Sequence, residues 1–174
     1  LSGTASPLRT AGRINTAPAG ARLKRSVSSV HLPNSDVYLI KSALGLAWAN
    51  DALETLMTSV SWRTASIHMF GRRVPSPRLT AWVGDHSYTY SRLTCPSAPW
   101  NTTLGAIRRR VEKLAGTSFN GVLINLYRDG RDSMGWHSDD EPELGPEPVI
   151  ASLSLGASRR FVFPVSYTHL TLPT

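Results

Sequence analysis

The chain has 174 residues, of which 41% are hydrophobic, a size and composition that suit one globular domain with a sizeable core. Its single cysteine, Cys95, excludes an internal disulfide and a multi-thiolate metal site, so we expect a protein of a reducing compartment, the cytoplasm. The formal charge of +7 is less informative, because five of the 19 basic residues precede the first acidic one at Asp36 and leave 14 basic against 12 acidic side chains.

The opening of the chain is rich in Ser, Ala, Gly, Thr and Arg and has no apolar stretch typical of a signal peptide. We therefore expect residues 1–30 to be a disordered basic arm. Such an arm either contacts phosphates nonspecifically or is an unstructured extension or a mispredicted start, since the chain does not open with Met. No apolar run approaches the ~18 to 20 residues that span a bilayer, so we expect no membrane partner.

Two apolar stripes at helical spacing predict packing helices. The first follows the start signal Asn50-Asp51 and consists of Leu53, Leu56, Met57 and Val60. The second ends at Gly116 and consists of Leu104, Ile107, Val111 and Leu114. Three consecutive arginines, residues 108–110, lie on the polar side of the second stripe, where they form either a solvated face or a phosphate contact.

Later segments change to a period of two, which is typical of strands. Within residues 122–127, one face is apolar and the other carries the polar tips of Asn125 and Tyr127. The alternation returns in residues 149–155, and a further strand starts at Phe161. Strands with a polar inner face suit a ligand-holding jelly roll. We therefore predict an α+β fold, a double-stranded β-helix (jelly-roll) core with packing helices on one side, incomplete at the C-terminus.

The clearest functional signal lies in residues 125–141, where His137 and Asp139 stand two positions apart just after an apolar run. In a strand, residues i and i+2 point to the same face, so the imidazole and the carboxylate would converge. They would then supply two ligands of a two-His, one-carboxylate iron site. An isolated His-x-Asp pair is weak on its own, because such pairs occur by chance on surfaces.

The surrounding sequence resembles the AlkB family of 2-oxoglutarate- and Fe(II)-dependent dioxygenases, roughly from Leu32 to Phe163. The strongest motifs are Phe119-Asn120, Leu123 to Gly130, Gly135 to Glu141 and Pro148 to Gly156. Upstream, the segments that look like the substrate-handling half are Phe70 to Arg72, Pro77 to Leu79, Gly84-Asp85 and Tyr88 to Ser91. The resemblance implies a dioxygenase domain at residues 31–163.

The same resemblance implies Fe(II) as cofactor, with 2-oxoglutarate and O2 as cosubstrates. It also implies DNA repair by oxidative demethylation of N-alkylated bases in single- or double-stranded DNA or RNA. The cosubstrate would be decarboxylated to succinate, while the N-methyl group would be hydroxylated and leave as formaldehyde. Imidazole and carboxylate ligands suit Fe(II) better than a metal that prefers thiolates.

The resemblance also assigns roles position by position. His137 and Asp139 match the first two iron ligands, and Asn125 and Tyr127 match residues that hydrogen-bond 2-oxoglutarate. An enzyme that extrudes a base needs aromatic groups to stack it and basic groups to hold the backbone. The substrate-binding positions implied are Tyr88, Tyr90, Ser91, Glu141, Arg72, Arg73 and Arg78. Trp62, Trp82 and Trp136 are interpreted as packing residues.

The C-terminal part departs from the family pattern. The family has a second iron histidine and two cosubstrate-clamping arginines beyond the carboxylate ligand, and no motif of that kind follows Asp139 here. His169 lacks a family motif around it and is not expected to be a ligand, and Arg159 and Arg160 do not match the clamp. We expect residues 164–174 to be an irregular, non-native tail. The chain as written is then inactive or marginal, whereas its parent is a monomeric enzyme.

Other classes of protein stay open. A catalytically inactive jelly-roll fragment that binds nucleic acid would keep Tyr90 and the arginines but would not need both His137 and Asp139. An oxygenase of the same fold that acts on protein or a small molecule would not need residues 70–73 or 88–91. A zinc hydrolase is disfavoured because the His-Asp pair lacks a further clustered ligand.

Overall fold

The chain alternates short strands with two helices in the part that the computed structural model describes, residues 2–5, 27–32, 35–69, 72–90, 93–137, 144–145, 147–165 and 168–173. The elements are β1 (Ser2–Ala5), β2 (Val27–Leu32), β3 (Ser35–Ile40), α1 (Leu46–Ser59), β4 (Arg63–Met69), β5 (Arg72–Gly84), β6 (Tyr88–Tyr90), β7 (Leu93–Cys95), α2 (Thr102–Ala115), β8 (Phe119–Leu126), β9 (Ile150–Ser152), β10 (Arg160–Val165) and β11 (Thr168–Pro173). None of the described helices is long and apolar enough to cross a membrane.

The largest sheet has five strands in the order β4-β5-β8-β1-β9, and every neighbouring pair is antiparallel. The other described strands form three two-stranded sheets, β2–β3, β6–β7 and β10–β11. Antiparallel strands together with helices confirm the α+β class. The closed jelly roll stays a prediction.

The chain divides into two compact units. The first contains residues 1–15 and 56–153, which include the five-stranded sheet and α2. The second contains residues 16–55 and 154–174, which include the β2–β3 and β10–β11 hairpins. The candidate site residues from Arg72 to Glu141 therefore all belong to the first unit.

Helix α2 has the C-terminal end that the sequence predicts, and a side-chain cap marks its start. Asn101 caps its first turn, since its side-chain Oδ1 accepts a hydrogen bond from the Leu104 amide at 2.8 Å. At the other end Gly116 adopts the left-handed conformation with φ +69°, and its amide donates to the Glu112 carbonyl. The buried residues Leu104 and Ile107 line a small apolar cavity together with Val122 of β8. This helix therefore covers the apolar face of the sheet.

A charged cluster secures α2 to the end of β5. The guanidinium of Arg108 lies over the Trp100 ring at 4.7 Å from the centroid. It also contacts Glu112 at 3.0 Å and Asp85 at 3.7 Å, while the Trp100 indole donates to Asp85 at 2.9 Å. Of the two interpretations of residues 108–110, the solvated face does not hold at Arg108, whose charge is balanced by Asp85 and Glu112.

Helix α1 starts earlier than predicted. The sequence placed the start at Asn50-Asp51, whereas the helix runs from Leu46 to Ser59 and is preceded by Gly45 with φ +74°. Residues 46–49 are Leu, Ala, Trp and Ala, whose helix propensity outweighs the capping preference of the following polar pair. Ala52 and Leu56 are buried, but Met57 is 46% exposed, so the apolar stripe is narrower than expected.

Strand β8 has the predicted alternation. Val122 and Ile124 are buried on the side that α2 covers, while Asn125 lies on the opposite side, which we call the inner face. Register places Thr80 of β5 opposite Asn125, and Trp82 opposite Leu123, on the same inner face. Trp82 is 9% exposed and crosses above Gly121, so its predicted packing role is confirmed.

Both ends of the chain differ from expectation. Within the arm expected to be disordered, Ser2–Ala5 form β1 between β8 and β9, and β2 starts at Val27. Pairing with β1 satisfies backbone groups that β8 and β9 would otherwise present as edges. Within the tail expected to be irregular, β11 pairs with β10, and residues 168–172 have the period-two pattern of a strand. Residues 6–26 lie outside the described residues.

Candidate active site

The predicted site residues differ in how far the structure describes them. Asp139, Glu141 and Ser91 lie outside the described residues. Tyr88 and Tyr90 lie in β6, opposite Cys95 and Leu93, in a hairpin separate from the five-stranded sheet. Their roles therefore stay predictions.

The predicted phosphate contacts lie at the β4–β5 turn. Arg73 stands opposite His68, and Arg72 stands opposite Met69 with its side chain exposed. Since Thr80, beside the inner-face residue Asn125, lies eight positions further along β5, these arginines mark the far end of the strand. A long ligand would have to run along β5 to meet both regions.

Two of the predicted residues lie on the inner face of the β5–β8 pair. Asn125 lies beside Thr80, and alternation puts Arg78, two residues before Thr80 in β5, on the same face, while Tyr127 directly follows the end of β8 at Leu126. Asn125 and Tyr127 are half-buried, and Arg78 is only 7% exposed. Asn125 thus has the predicted inner-face position in β8, and the clustering of Tyr127 with it stays a prediction.

The Asn125 side chain ends in an unsatisfied buried atom. Its Oδ1 has no hydrogen-bond partner among the described residues. Buried polar atoms without partners are rare and costly, so this atom is a candidate contact for a ligand or an ordered water molecule. An amide offers a donor and an acceptor end that exchange by rotation, and Tyr127 adds a hydroxyl. These groups fit a small ligand rich in oxygen acceptors, as 2-oxoglutarate is.

The loop that follows β8 is organised by two aspartates. Asp132, which is 6% exposed, accepts from the Arg128 amide at 2.9 Å and from the Arg128 guanidinium at 2.8 and 2.9 Å. Asp129 accepts from the amide and guanidinium of Arg131 at 2.8 and 2.7 Å. Hydrogen bonding to Asp132 raises the pKa of Arg128, and hydrogen bonding from Arg131 lowers the pKa of Asp129.

His137 lies at the end of this loop and not in a strand, so the strand-based geometry predicted for the His137–Asp139 pair is wrong at its first member. Its ring is exposed, and Nδ1 lies 2.9 Å from the Gly135 carbonyl oxygen. Because a carbonyl oxygen only accepts, Nδ1 carries the proton, and the neutral ring then has its lone pair on Nε2. A backbone carbonyl on the other ring nitrogen is the usual setting of a metal-binding histidine.

The described residues supply one candidate iron ligand. No three His, Cys, Asp or Glu side chains among them cluster closely enough to hold a metal ion. Asp139 lies outside the described residues. His137 supplies an imidazole, a ligand that Fe(II) accepts, and the remaining iron ligands are a matter for proposal. The cosubstrate half of the site is better defined, through Asn125 and Tyr127.

Sequence reasoning missed two residues and misjudged a third. Asp132 gave one sign of its role, the opposite charge of Arg128 four positions earlier, and Met134 gave none. Trp136, interpreted as a packing residue, is 65% exposed, so that interpretation is wrong. Loop residues of this kind show no periodicity from which burial is readable.

Known proteins match this chain over most of its length. Residues 24–170 match the family described as the 2OG-Fe(II) oxygenase superfamily. The alpha-ketoglutarate-dependent dioxygenase alkB homolog 3 of Rattus norvegicus is 46% identical over 128 residues, 73% of this chain and 43% of that protein. The DNA oxidative demethylase ALKBH2 of Homo sapiens is 44% identical over 124 residues, 68% of this chain and 48% of that protein.

A plant relative extends the comparison. The DNA oxidative demethylase ALKBH2 of Arabidopsis thaliana is 34% identical over 134 residues, 74% of this chain and 43% of that protein. The chain thus spans less than half the length of these relatives. Because the family model covers most of its residues and the relatives are AlkB homologues, the chain belongs to the AlkB family of the 2OG-Fe(II) oxygenase superfamily.

Proposed function

We propose that the protein containing this chain is an Fe(II)- and 2-oxoglutarate-dependent dioxygenase that oxidatively demethylates N-alkylated nucleobases in DNA or RNA, with a jelly-roll core and a monomeric state. The observation that carries the proposal is the inner face of β5 and β8. There the amide oxygen of Asn125 is buried and has no hydrogen-bond partner among the described residues, and Tyr127 follows two positions later. The family match and the relatives, whose names specify alpha-ketoglutarate-dependent dioxygenase and DNA oxidative demethylase, support the same activity.

The residues of the chain divide the work. Asn125 and Tyr127 bind the oxygen atoms of 2-oxoglutarate, and His137 with Asp139 holds the metal. Iron with 2-oxoglutarate and O2 supplies the oxidising power when bound, while the protein provides binding and orientation. His137 contributes through Nε2, since its Nδ1 proton is held by the Gly135 carbonyl.

The nucleic acid would meet a different set of residues. Tyr88, Tyr90 and Ser91 would hold the extruded base, with Glu141 beside it, because a base inside a duplex has to be flipped out before its methyl group is accessible. Arg72 and Arg73 at the β4–β5 turn would contact phosphates, and the exposure of Arg72 supports this. Arg78, which is only 7% exposed, would support the base pocket from within the sheet and would not contact a backbone phosphate.

The test is turnover by the full-length protein with Fe(II) and 2-oxoglutarate on three substrates: methylated DNA, methylated RNA and the free methylated nucleoside. We expect succinate and formaldehyde in equal amounts with the polymers and less with the nucleoside. Asn125→Leu should raise the KM for 2-oxoglutarate, because an unsatisfied buried ligand contact typically costs about 1–3 kcal/mol. Arg131→Met, a change at an exposed residue, is the matched control.

The alternatives give different results in the same assay. A nucleic-acid-binding module would show binding that His137→Ala leaves unchanged and no turnover by the unsubstituted protein. An oxygenase of another substrate class would release succinate without a methylated polymer and would be indifferent to Arg72→Ala. Either result would contradict the proposal.

A further inference from the structure

Arg78 stands out because it is a buried cation for which the described residues supply no matching anion. It is 7% exposed, and no carboxylate of the described residues lies within ion-pair distance. Its Nε has no hydrogen-bond partner in the same part of the chain. A buried guanidinium in this state costs stability, and an apolar side chain of similar volume would fill the space more cheaply. Stability alone therefore does not account for an arginine at this position.

The contacts of Arg78 and its neighbour are directed at the loop between β8 and His137. The Nη1 atom of Arg78 donates to Sδ of Met134. One residue earlier, the carbonyl of Pro77 accepts from the Ser133 amide at 3.1 Å. Adjacent residues of β5 thus bind adjacent residues of the loop, which fixes both the position and the direction of the chain there.

These contacts lead directly to the candidate iron ligand. Met134 precedes Gly135, and the Gly135 carbonyl oxygen accepts a hydrogen bond from Nδ1 of His137, with 2.9 Å between the two atoms. A shift of Met134 would move that carbonyl and rotate the imidazole, because the hydrogen bond sets the ring orientation. The sequence of contacts is therefore Arg78 to Met134, through the peptide to Gly135, and on to His137.

We propose that Arg78 is a positioning residue that orients His137 for metal binding through Met134 and Gly135. The inference rests on the proposed function, since it takes His137 as an iron ligand. It assigns to a buried arginine of the sheet a role in metal affinity, and it requires no contact between Arg78 and the metal, the cosubstrate or the base.

The test measures Co(II) affinity of the full-length protein by calorimetry, without 2-oxoglutarate and without turnover. The variants are Arg78→Met, Met134→Leu, His137→Ala and the double variant Arg78→Met with His137→Ala. Arg131→Met is the matched control, because Arg131 lies in the same loop, has a side chain that is 91% exposed and pairs only locally with Asp129. Thermal unfolding of each variant identifies any that are unfolded.

We expect Arg78→Met to weaken Co(II) binding about 10- to 100-fold, the range found for groups that orient metal-binding histidines. Met134→Leu should weaken it less, since it removes the sulfur acceptor but keeps the volume. In the double variant the loss should equal that of His137→Ala alone, because a residue that acts through the imidazole has no effect once the imidazole is gone. A purely structural arginine would give additive losses instead.

Four outcomes would overturn the proposal. Unchanged Co(II) affinity in folded Arg78→Met, or an additive loss in the double variant, would remove the positioning role while leaving the proposed function intact. If Arg78→Met does not fold, unchanged affinity in Met134→Leu would have the same meaning. Unchanged affinity in His137→Ala would show that the proposed iron site itself is wrong, and both conclusions would fall.

Discussion

Replacement of Gly121 by alanine tests how tightly the Trp82 ring packs against β8 on the inner face. Gly121 lies in β8 beneath the Trp82 indole, whose Nε1 donates to the His86 carbonyl at 2.8 Å. A Cβ at this position would stand 2.5 Å from Cη2 of Trp82 and closer still to Cζ2. Carbon atoms do not approach that closely without overlap, so the ring has to move.

The cost follows from how firmly the ring is held. Trp82 is 9% exposed, so a shift displaces packed neighbours and strains its hydrogen bond. Overpacking of a filled core by one methyl group typically costs about 1–3 kcal/mol. For a chain of this size, each kcal/mol lowers Tm by about 2–4 °C. We therefore expect Gly121→Ala to lower Tm by about 2–12 °C.

The chain offers the same substitution with the opposite expectation. Gly105 lies inside α2, where an added Cβ would meet only Nη1 of Arg109, at 3.6 Å, an ordinary contact. Alanine is favoured over glycine by about 0.5–1 kcal/mol in a helix, so Gly105→Ala should raise Tm. Both variants are measured by far-UV circular dichroism during heating, with Trp fluorescence as a report on Trp82.

The reasoning would be refuted by a Gly121→Ala protein that melts at or above the Tm of the unsubstituted chain. A second comparison isolates the overlap. In a Trp82→Phe background the smaller ring leaves space for the methyl group, so the cost of Gly121→Ala should fall by more than half. If Gly121→Ala lowers Tm by the same amount in the Trp82→Phe background, the effect comes from the backbone and not from the contact with Trp82.

Three further predictions address the core, the loop and the partner. Leu104→Ala, at a residue 2% exposed, should lower the free energy of unfolding by about 2–5 kcal/mol in urea titrations, and a loss under 1 kcal/mol would contradict the packing of α2. Because the pKa of Asp129 is lowered in the folded state, its contribution to stability is present above the ordinary value of 3.8 and is lost as pH falls through the lower folded value. Asp129→Asn should therefore make Tm less dependent on pH below 3.8. Near neutral pH the Tm of the variant should differ from that of the unsubstituted chain only by a constant offset. Arg72→Ala should weaken nucleic-acid binding similarly for all sequences and reduce the slope of log affinity against log salt by about one, without changing the KM for 2-oxoglutarate; an unaltered slope would exclude a phosphate contact.

Elements with strong periodicity were predictable from sequence. The buried face of α2 followed from Leu104 and Ile107 and its end from Gly116, and the two faces of β8 followed from alternation around Ile124 and Asn125. In both cases local preference and burial agree, which is the condition under which sequence patterns are reliable. Helix α1 shows the limit, because a polar pair resembling a cap lies inside a stretch of good helix formers.

The residues of the candidate site were predictable from the sequence, but the backbone structure around His137 was not. Family motifs identified Asn125, Tyr127 and His137, yet the strand expected at His137 is a loop held by Asp132 and Met134. Asp132 gave one sign in the sequence, the opposite charge of Arg128 four positions earlier, whereas Met134 gave none, because its contact with Arg78 comes from a distant strand. Such contacts are set by tertiary packing, which overrides local preference.

The ion pairs of Arg108 reduce the electrostatic attraction that α2 exerts on a polyanion. With Asp85 and Glu112 on either side of its guanidinium, the helix segment carries a far weaker field than three successive arginines suggest. Substituting Glu112 would therefore do two things at once. It would release the Phe119 amide, which donates to the same carboxylate at 2.9 Å, and it would unmask a cation, so gains in nonspecific nucleic-acid binding would accompany a loosened start of β8.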